Sequence, residues 1–96
     1  MTDKPGEIGE PFVLKLFVSG ASRNSVRAIS NIQQILETHF KGQYSLSIID
    51  IHQDKALAKE EQIIALPLLI KKSPLPEKRL VGDMSDVEKV LKELVS

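Results

Sequence analysis

Cysteine does not occur anywhere in the 96-residue chain. Its absence excludes disulfides, thiolate metal sites and thiol redox chemistry. Tryptophan is missing too, and three Phe with one Tyr leave few stacking platforms for nucleobases. Neither sign of charge dominates: thirteen basic and thirteen acidic side chains cancel to a formal charge of zero. Proteins that cover nucleic acid work largely by neutralising phosphates, so this balance argues against that role. It also lowers the cost of self-association. No apolar run approaches spanning length, because the longest, Ile63 to Ile70, is interrupted by Pro67. The N-terminus has no apolar signal core, so a cytoplasmic protein without membrane contact is expected. A glycine-rich phosphate loop is also lacking, since Gly20 stands alone and Gly82-Asp83 lacks a following lysine and serine.

What is present reads as one α/β domain over 12–96, after a polar lead-in over 1–11 that holds Pro5, Gly6, Gly9 and Pro11. Phe12, Leu14, Leu16 and Val18 alternate with Val13, Lys15 and Phe17, the period of a strand. Both faces are largely apolar, which places this strand inside a sheet. After Ser19-Gly20-Ala21 the period lengthens: Val26, Ile29, Ile32 or Gln33, Leu36 and Phe40 form a helical stripe. Asn24 or Ser22 caps that helix, and Gly42 ends it. Arg23 and Arg27 stand near the helix start, where the dipole prefers anions. They either reach into water or meet a carboxylate of a partner. Tyr44 to Ile51 supplies the second strand, completing a βαβ unit.

The second half is less decided. Asp54 to Ile64 is rich in helix formers, with Leu57 and Ile64 as core positions. The run from Ile63 to Ile70 reads either as a helix end followed by a buried strand or as one element broken at Pro67. Pro67 itself is either a cis proline or a trans proline at a strand start. Lys71 to Lys78 reads as a proline-containing loop with a cationic rim. The cluster of Lys71, Lys72, Lys78 and Arg79 either solubilises that loop or docks onto an acidic protein surface. Arg79 to Val81 forms a short strand ended by Gly82. Ser85 with Glu88 makes a capping box for a last helix striped by Val87, Val90, Leu91 and Leu94. The order is β-α-β-α-β-β-α, a thioredoxin-like outline.

Catalysis finds no support in these residues. A thioredoxin-like enzyme places cysteines just after its first strand, where this chain has Ser22-Arg23-Asn24-Ser25. Asp50 and His52 lack a nucleophile or metal ligand nearby in sequence, and the spacing of His39 and His52 matches no ligand set. The expectation is a binding protein with no cofactor and no metal.

Larger stretches then carry a resemblance. Val13-Leu14-Lys15-Leu16-Phe17-Val18-Ser19-Gly20 with Asn24-Ser25-Val26-Arg27-Ala28 is similar to the start of the KaiB circadian-clock proteins. So are Ile35-Leu36-Glu37, Phe40-Lys41-Gly42, Ile49-Asp50-Ile51, the spacing of Ala65, Pro67 and Leu69, and that of Pro74 and Pro76. Arg79, Gly82-Asp83, Ser85 and Glu88-Lys89-Val90-Leu91 close the match, which spans Phe12 to Leu94. The family resemblance implies a non-catalytic protein that binds the KaiC ATPase ring; the alternative is a redox-inactive thioredoxin-like adaptor or sensor-type domain that contacts a signalling kinase. The resemblance implies two folds: a tetramer with βαββααβ order and a thioredoxin-like monomer that binds KaiC. In that scheme 12–51 is common to both and 52–96 refolds. A SasA-like histidine kinase would compete for the same surface, and KaiA is left open as a partner. The implied KaiC-facing residues are Arg27, Ala58, Gln62, Lys71, Pro74 and Arg79. Those implied to influence the fold balance are Gly82, Asp83 and Ser85, with Pro67, Pro74 and Pro76 as sites of slow isomerisation.

The chain departs from the family pattern in three places. It has Pro74-Leu75-Pro76 where many clock members have three prolines, and Gln62 where they have lysine. It also ends at Ser96, without their longer acidic tail. The departures fit a paralogue or a non-cyanobacterial member in a KaiC-linked timing or stress pathway. They leave the homo-oligomer as a tetramer or a dimer, beside a resident thioredoxin-like form.

Overall fold

Two alternating runs lie side by side and set the frame of the molecule. Strand β1, Phe12–Val18, pairs in parallel with β2, Tyr44–Asp50, from Phe12 against Tyr44 to Val18 against Asp50. Parallel neighbours need a crossover, and helix α1, Arg23–His39, provides it. The computed structural model describes residues 10–95. Of the expected lead-in, Glu10 and Pro11 are exposed and 1–9 lie outside the described residues.

On its other side β1 pairs antiparallel with β3, Leu68–Ser73, placing Leu16 against Leu69. A register shift between Val13 and Leu14 bulges this pairing. Strand β4, Lys78–Val81, returns antiparallel to β3, with Leu69 against Leu80 and Ile70 against Arg79. The sheet order is β2-β1-β3-β4, so β1 is internal, as its two apolar faces require. With α2, Lys55–Glu60, and α3, Val87–Val95, the order is βαβαββα, the expected thioredoxin-like one.

The pleat sorts β1 between two cores. Leu14, Leu16 and Val18 face α1 and α3, packing with Ile32, Leu36, Leu69, Val90 and Leu94. Phe17 points the other way and joins Leu68 and Ile70 under Leu57, Ile63 and Leu66. Each fully buried large side chain here contributes about 1.5–3 kcal/mol of transfer free energy.

Several expectations are corrected. Val26 faces water, 53% exposed, because the buried stripe of α1 runs through Ser25, Ala28, Ile32, Ile35 and Leu36. Ser25 can be buried because its hydroxyl accepts from the Ser19 N–H at 3.1 Å and from the Ser22 hydroxyl at 2.8 Å. Ser22, rather than Asn24, caps α1 and accepts from the Ser25 N–H. Helix α2 is shorter than expected, and Ile64 lies beyond it at 95% exposure instead of in the core. Asp86, rather than Ser85, caps α3, accepting from the Lys89 N–H at 3.1 Å. A carboxylate at that position also meets the positive end of the helix. The bonds Leu66–Pro67, Ser73–Pro74 and Leu75–Pro76 are cis.

Leu69 is fully buried and central to the larger core. Leu69→Ala is expected to lower the unfolding free energy by about 2–5 kcal/mol with an unchanged denaturant slope. Urea unfolding curves followed by circular dichroism check this, and a loss below about 1 kcal/mol would contradict the packing described.

Candidate docking surface

One face of the sheet is covered by α2, a helix with no buried residue of its own. A six-residue helix is too short to persist on propensity alone, so its ends must be held. Asp54 holds the start, its carboxylate accepting from the Leu57 N–H at 3.1 Å. The end closes as a Schellman turn: the Gln62 N–H donates to the Lys59 carbonyl and the Ile63 N–H to the Ala58 carbonyl, both at 3.1 Å. That turn needs a left-handed residue, and Gln62 fills it at φ +58°, where glycine would be unstrained. Beyond the turn the chain passes over a cleft of about 470 Å³, lined by Ile51, Ala58, Gln62, Ile63, Ile64 and Leu66 among others. Ile64 stands on its rim in water.

Charge ties this element down. Glu61, the C-cap of α2, has a side chain only 12% exposed and meets three cations from three strands. Lys72 lies 3.1 Å away, Arg79 3.5 Å and Lys15 3.9 Å. Arg79 also donates to the Glu61 carbonyl at 2.8 Å. Glu77 closes the circuit, 3.3 Å from Lys72 and 3.5 Å from Arg79. The hydrogen bond to Glu61 holds the Lys72 ammonium above the ordinary lysine range, although burial works against it.

The expected site residues therefore have different fates. Ala58, Gln62 and Arg79 come together at the end of α2. Pro74 is half-buried and Pro76 exposed in the β3–β4 hairpin, while Pro67 is buried where β3 begins. Arg27 lies across the sheet on α1, 3.8 Å from Asp83 of the same chain. The expected cationic rim is corrected. Lys71 and Lys72 belong to β3, and Lys71 is only 2% exposed on the face opposite α2. Its ammonium donates to the Leu94 carbonyl at 3.3 Å, capping α3, and sits 5.8 Å from the centre of the Phe12 ring. Lys72 and Arg79 are paired to carboxylates, and Lys78 opens β4. What sequence reading missed is Glu61: it appeared only as a helix former, and its partners lie on three other elements.

Residues 82–85 form a second junction. Gly82 adopts φ +124° and donates to the Pro67 carbonyl at 3.0 Å. Asn31 of α1 donates to the Asp83 carbonyl at 2.8 Å, and the Asp83 carboxylate accepts from the Ser85 N–H at 3.0 Å. Met84 follows at φ +62° with its side chain in the core.

The end of β2 does not assemble a catalytic triad. His52 Nε2 and Ser19 Oγ lie 3.0 Å apart, but the Asp50 carboxylate accepts from the His52 backbone N–H. Among the described residues no carboxylate orients the imidazole, as a serine nucleophile would require. Among the described residues no group of His, Cys, Asp and Glu forms a metal site, and no helix is long and apolar enough to cross a membrane.

Comparison with known proteins agrees with this architecture. Residues 15–95 match the KaiB domain family. The circadian clock oscillator protein KaiB of a Picosynechococcus species is 51% identical over 80 residues, covering 83% of this chain and 77% of the relative. The N-terminal domain of Synechococcus elongatus SasA superposes with a TM-score of 0.73 at 21% identity, covering 99% of this chain and 93% of that domain. The Drosophila melanogaster thioredoxin Deadhead gives a TM-score of 0.72 at 11% identity, over 94% of this chain and 84% of that one. Both structural likenesses concern the thioredoxin-like fold.

The Asp83 carboxylate titrates below the ordinary aspartate value of 3.8, chiefly through hydrogen bonding from Ser85, hydroxyl before backbone, with Arg27 adding to it. A lowered folded value stabilises the fold above the unfolded value, and this contribution is lost as pH falls through the lowered one. Wild type and Asp83→Asn should therefore differ most near neutral pH and converge in acid. Denaturant unfolding across a pH series tests this; a gap that stays constant into acid would contradict it.

Proposed function

The chain belongs to the KaiB family, and from that premise we propose that it docks on a KaiC-type ATPase ring as a regulator in a KaiC-linked timing pathway. KaiB family proteins are non-catalytic regulators, which suits a chain without thiols or an oriented nucleophile–base pair among its described residues. One observation carries the reading: half of the aligned residues are identical to a clock oscillator protein, in a chain with the thioredoxin-like fold that the family resemblance assigns to KaiC binding. The docking face in this proposal is the end of α2 and its cleft, with Ala58, Gln62, Ile64 and Arg79 at its centre. Pro74 extends it, whereas Arg27, across the sheet on α1 and paired with Asp83, would belong to a separate contact. Lys71 is left out, because its ammonium already serves α3.

The same proposal has a SasA-like kinase competing for this face, a reading supported by the shared shape of the SasA domain. It also has residues 52–96 repacking against 12–51 in an oligomeric form. The junction at 82–85 governs that balance, because it joins the second half to α1 through Asn31 and Arg27.

Immobilised protein incubated for many hours with a KaiC homologue and ATP should retain the ring; no retention would overturn the docking reading. Ile64→Asp should reduce capture at least roughly tenfold, as loss of a central apolar anchor does. Because Ile64 is solvated, the same change should alter unfolding by less than about 0.5 kcal/mol. Gly82→Ala, strained at a positive φ, and Asp83→Asn should each shift the monomer–oligomer distribution on gel filtration. Unchanged profiles for both would count against a fold balance.

A further inference from the structure

We propose that Glu61 is an electrostatic clamp that decides how often the α2 face opens. The inference concerns the free protein and stands apart from any partner. It rests on geometry: one mostly shielded carboxylate receives Lys15 from β1, Lys72 from β3 and Arg79 from β4, while Arg79 also holds the Glu61 carbonyl. The helix it caps has no buried residue, and the large apolar side chains that it and the following run pack on the sheet, Leu57, Ile63 and Leu66, are each half-buried. The clamp therefore supplies what apolar area does not.

Its placement has a directional consequence. Lys15 belongs to the first half of the chain, whereas Lys72, Arg79 and α2 belong to the second. Loss of the Glu61 charge leaves three cations converging with only Glu77, a half-exposed carboxylate, between Lys72 and Arg79. Lys15 then has no counter-charge from this cluster. The clamp thus fastens α2 to three strands at once, and its release frees the turn that lines the cleft while leaving the β1-α1-β2 unit closed.

Three amides report this opening directly, since the Glu61, Gln62 and Ile63 N–H groups close the end of α2 by hydrogen bonds to Leu57, Lys59 and Ala58. In hydrogen exchange on the whole chain, Glu61→Gln should speed these three amides at least about tenfold, the scale of a lost charge-assisted hydrogen bond. Amides of β1 should change far less. Glu60→Gln alters net charge equally, one residue away on the exposed surface, and should leave the three amides near wild type. Raising sodium chloride from about 50 mM to about 0.5 M should speed them in wild type but not in Glu61→Gln, because screening weakens a partly exposed ion cluster. Equal rates in Glu61→Gln and Glu60→Gln would overturn the clamp. If Glu61→Gln does not fold, Lys15→Gln carries the test: a rise of about two- to threefold confined to these amides supports the clamp, and wild-type rates refute it.

Discussion

Burial of β1 on both faces and along both edges is the constraint from which the other features follow. Leu14 and Leu16 are inaccessible on one side and Phe17 on the other, so the strand must be covered twice. It must also be paired twice, by β2 and β3. The two coverings are unequal. One face receives a helix of seventeen residues together with α3, and there burial of aliphatic side chains is sufficient. The other receives six helical residues and an irregular run to Leu66. A cover with so little apolar area must be held by directed interactions, which is why the Glu61 cluster lies on this side.

The legible part of the molecule was the part decided by local pattern. Period two over Phe12 to Val18 and period near 3.6 through Ile32 and Leu36 are consequences of which face meets the core, so the βαβ unit and the last helix followed from the residues alone. Val26 was misassigned because a stripe can be extended one position either way, and only the Ser19–Ser22–Ser25 hydrogen bonds decide that Ser25 enters instead. Lys71 was misplaced for a similar reason. A lysine beside prolines reads as loop, yet here the β3 strand continues through it and its charge is matched by the carbonyl end of α3. Composition shows how many charges exist, whereas pairing between distant positions such as Lys15 and Glu61 is a property of the fold. For the candidate site, family resemblance pointed to the neighbourhood of α2, but the Glu61 carboxylate that anchors that helix gave no signal in the sequence.

The two halves of the chain are joined by contacts of different kinds. Apolar layers shared by α1, β1 and β3 are indifferent to small rotations and cost much to separate. The junctions at Asn31–Asp83, Arg27–Asp83 and Lys15–Glu61 are polar, few and dependent on direction. Contacts of that kind depend on orientation, and exposed members such as Arg27–Asp83 add little stability. Gly82 and Met84, both at positive φ, let the chain turn sharply between β4 and α3, so the arrangement is specified by backbone as well as by side chains.

This distribution sets the start of α1 apart from the surroundings of α2. At the start of α1 the positions that carry thiols in thioredoxin enzymes hold serines, and their hydroxyls are spent on capping and on burying Ser25. Around α2 the packing is looser: past the helix Gln62 is strained and Ile64 is solvated, the cleft is open, and the helix has no buried residue of its own. Elements that bind partners come from the least stable parts of a fold, because a surface that must adapt cannot also be the core. A rigid βαβ unit with a lightly fastened cover meets both demands, and the charge on Glu61 sets how lightly.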